Sequence, residues 1–184
     1  NSKTVKVITQ AELEASYSKD NNLKSLSING LKLEPSFNKN TTDYKVTAES
    51  NTTEIKINAA LSDSKASLSG TGIFKVTEGE NKFTITVEAE KEKKKKYNIL
   101  VNVTDPNPIT AKINDKDYTI VKRESNLIKP EDYEKKEIII NDQKVPAFYN
   151  EVNNFTLVGL KNTDGDISLF LYDSETNTFS EYKE

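Results

Sequence analysis

The sequence predicts an all-β chain built in two parts. Three observations carry this reading. Short segments with period-two alternation of apolar and polar residues recur along most of the 184 residues. Turn-forming pairs such as Asn29-Gly30, Asn141-Asp142 and Asp164-Gly165 separate them. Asp105-Pro106-Asn107-Pro108 then breaks the pattern, with two prolines that lack hydrogen-bond donors and stiffen the chain. The expected organisation is a linker or tail of a preceding domain over residues 1–20, a β-sandwich over 21–104 and a small antiparallel β domain over 109–184.

Element by element, Val5-Lys6-Val7-Ile8 reads as a short strand, and Gln10 to Tyr17 as one or two helical turns. Leu23 to Ile28 is the first strand of the sandwich, and the Asn29-Gly30 turn closes it. Leu31, Leu33 and Pro35 follow. Asp43 to Ala48 and Thr53 to Ala59 alternate with period two. Ala66 and Leu68 mark a short strand closed by Gly70 and Gly72. Phe83 to Ala89 and the Tyr97, Ile99, Val101 series form a closing pair, with Glu90 to Lys96 as its hairpin tip. About seven short strands with one wet face each need an opposing sheet, which is a sandwich.

Beyond the prolines, strands are expected at Ile109 to Ile113, Tyr118 to Val121, Glu137 to Ile140, Lys144 to Tyr149, Phe155 to Leu160, Ile167 to Tyr172 and Phe179 to Tyr182. Pro130 to Tyr133 reads as a loop or a short helical turn. A small twisted sheet, curled toward a barrel, is the expected shape. No long amphipathic helix is visible.

The stretch from about Asn21 to Val103 resembles the cadherin-like β-sandwich domain of bacterial cell-surface proteins. Leu23, Leu26, Ile28, Leu33, Pro35, Phe37, Tyr44 and Val46 carry the resemblance in its first half. Asp63, Ala66, Gly70, Gly72, Gly79, Asn81, Ile85, Val87, Ala89, Tyr97, Ile99 and Val101 carry it in the second. The implied fold is an immunoglobulin/cadherin-like β-sandwich followed by a small antiparallel β-sheet domain. From Ile109 onward the chain is similar to the β-rich module that often follows such domains in anchored surface proteins of Gram-positive bacteria. The cues there are Val145-Pro146-Ala147-Phe148, Asp164-Gly165, and Leu171-Tyr172-Asp173 with Phe179 and Tyr182 after it. The resemblance implies a spacer or adhesive unit and supplies no catalytic residue.

Composition sets limits on function. Hydrophobic residues make up 34% and charged residues 30%, which suits small domains with thin cores. The net charge of −3 is too even to point to nucleic acid or an anionic membrane. No apolar run reaches the roughly 18 residues of a membrane helix, and the sequence has no leader, so it reads as a piece of a longer precursor. The chain has no Cys, which removes disulfides and thiolate chemistry, and no His, the commonest general base and metal ligand. No cofactor is expected.

Several candidate sites have bland alternatives. Asn162-Thr163-Asp164-Gly165-Asp166 resembles the start of a calcium loop, but Ile167 and Asp173 stand where glycine and a bidentate glutamate belong, so a hairpin turn is preferred. Asp105 alone at the domain junction offers too few oxygens for calcium. Glu78 with Glu80, and Glu88 with Glu90, are spaced as paired carboxylates but read as solvated charges. A Lys–Asn isopeptide bond would need both groups buried beside a carboxyl, whereas Lys45 and Lys56 fall on wet faces. Asn40, Asn51, Asn102 and Asn154 head Asn-x-Ser/Thr sequons and read as turn or edge residues. Tyr172, Phe179 and Tyr182 are the candidate ligand-contact aromatics. The alternative is that Phe170 and Tyr172 pack in the core with Phe179.

The expected function is a non-catalytic extracellular spacer or adhesive unit, attached to the cell surface through an anchor elsewhere in the precursor. Its expected partners are other domains of that precursor, and a cell-wall or host glycan or protein. The second reading is a carbohydrate- or host-protein-binding module.

Overall fold

A computed structural model describes residues 3–183, organised as two compact units, Asn1–Thr104 and Asp105–Glu184. Residues 1 and 2, at the start of the expected tail, and residue 184 lie outside the described residues.

Residues 3–9 are irregular rather than a strand. Val5 and Val7 are 81% and 88% exposed. Alternation there is not enough, because a strand exists only where another strand takes up its backbone hydrogen bonds. The helix α1, Gln10–Ser16, follows as expected. Thr9 caps it: its hydroxyl accepts from Glu12 N at 3.1 Å, while the Glu12 carboxylate accepts from Thr9 N at 2.9 Å.

Seven strands build the first unit: β1 Leu23–Ile28, β2 Asp43–Glu49, β3 Glu54–Leu61, β4 Ser67–Ser69, β5 Gly72–Lys75, β6 Gly79–Glu88 and β7 Lys94–Thr104. They form two sheets, ordered β1-β3-β5 and β2-β7-β6-β4. Inward side chains from both sheets make one core. Leu26, Ile28, Ile55 and Ile57 come from the first, and Tyr44, Val46, Ile85, Val87, Ile99 and Val101 from the second. β1 departs from strict alternation. A bulge between Leu23 and Ser25 lets Leu23 and Leu26, three apart, both reach the core. β5 is a strand the sequence reading omitted. It lies among the turn glycines Gly70, Gly72 and Gly79, and its Ile73 faces outward, 63% exposed. Phe74 faces in and packs on Phe83, ring centroids 5.2 Å apart.

All pairings but one are antiparallel. β2 runs parallel to β7 in a seven-residue register from Asp43↔Asn98 to Glu49↔Thr104. The last strand of the unit is thereby paired with its second. The β6–β7 tip is shorter than expected: β6 ends at Glu88 and β7 starts at Lys94, so Lys94, Lys95 and Lys96 are strand residues.

The second unit is a seven-stranded antiparallel sheet of β8 Thr110–Ile113, β9 Lys116–Ile120, β10 Glu134–Ile140, β11 Gln143–Asn150, β12 Phe155–Asn162, β13 Ile167–Asp173 and β14 Thr178–Glu181. One edge of β12 serves two partners. β11 takes its first half and β9 takes Leu160 to Asn162. Pro146 has no N–H to give, and the β11–β12 ladder stops beside it at Ala147. Gly159 leaves room on β12 for the Leu127 side chain, since a Cβ there would stand 2.2 Å from Leu127 Cδ2 and the leucine would have to move. Ile120, Val145, Val158, Leu160 and Phe170 fill one core cluster; Tyr133, Phe148 and Leu157 fill another. A 3-10 turn spans Glu124–Asn126, whereas 130–133 holds a plain turn. No helix among the described residues is long and apolar enough to cross a membrane.

Candidate functional site

Two of the three aromatic candidates come together. Tyr172 on β13 and Phe179 on β14 are direct cross-strand partners, with ring centroids 5.2 Å apart at 31°. Both are half-buried against the cluster that contains Phe170. Tyr182 lies just past β14 and joins the other cluster, edge-on to Tyr133 at 6.1 Å and 74°. The three therefore do not form one platform. Residues 179 and 182 are three apart along extended chain and take opposite faces.

Phe179 does line a groove of about 440 Å3, together with Ile113, Asn114, Ile140, Asn141 and Asn177. β8, β10 and β14 all contribute to it, and each is an edge strand of the sheet, so the sheet curls. Asn114 and Asn141 open their hairpin turns with φ of 50°, and Asn177 closes the β13–β14 loop with φ of 51°. The Tyr172 hydroxyl donates to Asn177 Oδ1 at 3.2 Å.

A second groove, of about 490 Å3, lies on the outer face of the four-stranded sheet of the first unit. Half-buried Leu100 belongs to its lining. Across the strands beside it runs a polar relay. Thr84 Oγ1 donates to Asn98 Oδ1 at 3.1 Å, and Asn98 Nδ2 donates to Asp43 Oδ1 at 3.1 Å. The sequence signal for this groove was an apolar residue, Leu100, at an outward position of an alternating strand.

Of the acidic candidates, Glu78 and Glu80 are exposed, and the others are engaged elsewhere. Glu88 pairs with Lys94 at 3.5 Å on the surface. Glu90 accepts the backbone N–H of Ser18 at 2.8 Å and so fastens the chain entering β1. Asp105 pairs with Lys122 at 2.8 Å, and Lys122 Nζ also donates to the Asn107 carbonyl at 2.6 Å and to Gln143 Oε1. In the 162–166 loop, Asn162 Oδ1 accepts from the backbone of Asp164 at 3.0 Å and Asp166 at 2.9 Å. Asp166 thus closes a three-residue hairpin loop, with Gly165 at φ 93°. Among the described residues no group of three or more His, Cys, Asp or Glu side chains is arranged to hold a metal ion.

One cluster brings a lysine, an asparagine and an aspartate together. Lys95 Nζ donates to Asn22 Oδ1 at 2.8 Å, and Asn22 Nδ2 donates to Asp20 Oδ1 at 2.8 Å. These are the groups of an isopeptide site, but their chemistry is set against bond formation. Lys95 directs its hydrogens at oxygens, the second being the Lys39 carbonyl at 2.6 Å, and not a lone pair at the amide carbon. Asp20 is held below the ordinary aspartate range, first by the Asn22 backbone N–H and then by the Ser62 hydroxyl, so it is a poor proton donor. The cluster is a hydrogen-bonded clasp across the start of β1.

Beneath it, Tyr97 is fully buried. The parallel clasp of β2 on β7 lies in the same sheet, and the two sheets close over one core. Residues 23–104 match the family model of the cadherin-like beta sandwich domain. The match runs from β1, the first strand of the first unit, to β7, its last. A sandwich of this kind suggests a structural or adhesive module. No curated protein and no solved structure matches the chain.

Proposed function

We propose that the chain is a non-catalytic, extracellular, load-bearing segment of a bacterial surface protein, with its partners being further domains of the same precursor. The observation that carries this reading is the parallel β2–β7 ladder. Tension along the chain loads the ladder lengthwise when it reaches β2 at its Asp43 end and β7 at its Thr104 end. Parallel strands pulled from opposite ends slide along one another, so the bonds of all seven paired positions share the load. Strands pulled from one shared end open one bond at a time.

Force spectroscopy on the full chain tests this, using the absence of native cysteine to place handles. Asn40→Cys with Thr104→Cys loads the ladder lengthwise. Asn51→Cys with Thr104→Cys loads it from the end where Glu49 and Thr104 meet. The lengthwise geometry should unfold at a several-fold higher force, and equal forces would refute the load-bearing reading. Antibody labelling of intact source cells checks the extracellular placement.

The second reading, a carbohydrate-binding module, is favoured by one observation, the groove at Phe179 in the second unit.

A further inference from the structure

We propose that the groove bordered by Asn114, Asn141, Asn177 and Phe179 is a subsite for a neutral saccharide. The proposal deepens the second functional reading and does not depend on the load-bearing one, which concerns the other unit.

Three asparagines border the groove. Each stands at positive φ, where Asn is better tolerated than other side chains. Turn geometry alone would explain them, but glycine meets that need with less strain, as Gly165 does in the neighbouring hairpin. Three asparagines from three separate turns border one groove instead. Asn154, at φ 58° and away from the groove, accepts the Tyr149 hydroxyl through its Oδ1 at 2.9 Å, as Asn177 accepts that of Tyr172. Asn114 and Asn141 find no side-chain hydrogen-bond partner among the described residues, and Asn177 uses only its Oδ1, for Tyr172. The groove is therefore rimmed by amides with unused donors and acceptors.

A side-chain amide offers a donor and an acceptor in one plane, which suits the paired hydroxyls of a sugar ring. Phe179 and Ile113 supply an apolar patch for the C–H face of the same ring, and Tyr172 stacked behind Phe179 fixes its orientation. The volume of about 440 Å3 falls within the roughly 300–1,000 Å3 of small-molecule sites. Charge selects the class. No carboxylate lines the groove, and its lysine, Lys112, is paired with Asp117 at 3.4 Å. A neutral sugar fits this balance better than a uronate or a sulfated chain.

The test is an NMR titration of the intact chain with neutral hexose and N-acetylhexosamine oligosaccharides, alongside uronate and sulfated oligosaccharides. The expected result is amide shifts centred on residues 113–114, 140–141 and 177–179 with a neutral sugar. Phe179→Ala should weaken binding about tenfold or more. Asn114→Gly and Asn141→Gly keep the positive φ while removing the amide, so they should lose affinity with no loss of melting temperature. Silence with every neutral sugar, shifts centred elsewhere, a response to anionic sugars alone, or wild-type affinity in both glycine variants would each overturn the proposal.

Discussion

The hydroxyl of Tyr97 accepts the backbone N–H of Leu23 at 3.1 Å and donates to the Lys39 carbonyl at 2.9 Å. One buried atom on the last strand of the domain thus satisfies the first residue of β1 and the loop before β2. Lys95 lies 5.1 Å over the same ring. Tyr97→Phe keeps the ring and leaves both backbone groups without that partner, so it should destabilise the first unit by about 1–3 kcal/mol. Urea denaturation should show a lower midpoint at unchanged slope. An unchanged midpoint would mean that water replaces the hydroxyl at no cost.

Gly70 stands at φ 92°, and a Cβ there would lie 2.2 Å from the Thr84 carbonyl oxygen. Neither the backbone angle nor the contact tolerates a methyl. Gly70→Ala should cost about 2 kcal/mol or more. Gly79, also at positive φ, meets nothing within 4 Å and so shows the strain alone. A thermal melt in which Gly79→Ala is the milder of the two checks the argument.

Lys122 and Asp105 keep only 11% and 21% of their side-chain surface exposed. Removing the lysine strands a shielded carboxylate, the Asn107 carbonyl and the Gln143 amide oxygen together. Lys122→Met, which preserves the aliphatic stem, should destabilise the second unit by about 2 kcal/mol. Hydrogen exchange should quicken at residues 105–107 before it does in the core strands. Exchange unchanged there would show that the prolines alone hold the segment.

Asp20 and Asp63 both sit below the ordinary aspartate value of 3.8. For Asp63 the main causes are the Ser18 hydroxyl and the Lys65 backbone N–H. The unfolded chain therefore takes up these protons at higher pH than the folded one. Their stabilisation is complete above the ordinary value and is lost as pH falls through the lower folded values. Melting temperature followed from pH 6 downward should drop over that acid range, and Asp20→Asn should flatten the drop. An identical acid limb in the variant would remove Asp20 from the account.

The Lys95–Asn22–Asp20 clasp should stay non-covalent. The intact mass should equal that of the sequence, and a mass short by one ammonia would overturn the reading of those hydrogen bonds.

Much of the fold was legible because most strands here have one wet face. Tyr44, Val46 and Ala48 on β2, or Ile85, Val87 and Ala89 at the end of β6, state their orientation through spacing alone. What spacing could not state was partnership. Val5 to Ile8 alternates as well as β2 does, yet pairs with nothing among the described residues. β5 pairs with β3, yet its four residues sit among glycines that look like turns. The lysines of 94–96 read as a solvated tip because charge hides a strand whose partner, β6, is ten residues long. The site was half legible for the same reason. Tyr172 and Phe179 are cross-strand neighbours whose segments were recognised. The amide rim depends on a curl that brings three edge strands to one groove, and nothing local encodes that.

The parallel register also dictates an order of events. β2 cannot gain its ladder until β7 exists, and 55 residues separate Asp43 from its mate Asn98. Contacts so distant in sequence slow folding, because the intervening loop must close first. The nascent domain therefore stays open until almost its whole length is available. For the exported segment proposed above, that delay would keep the domain extended during passage through a membrane.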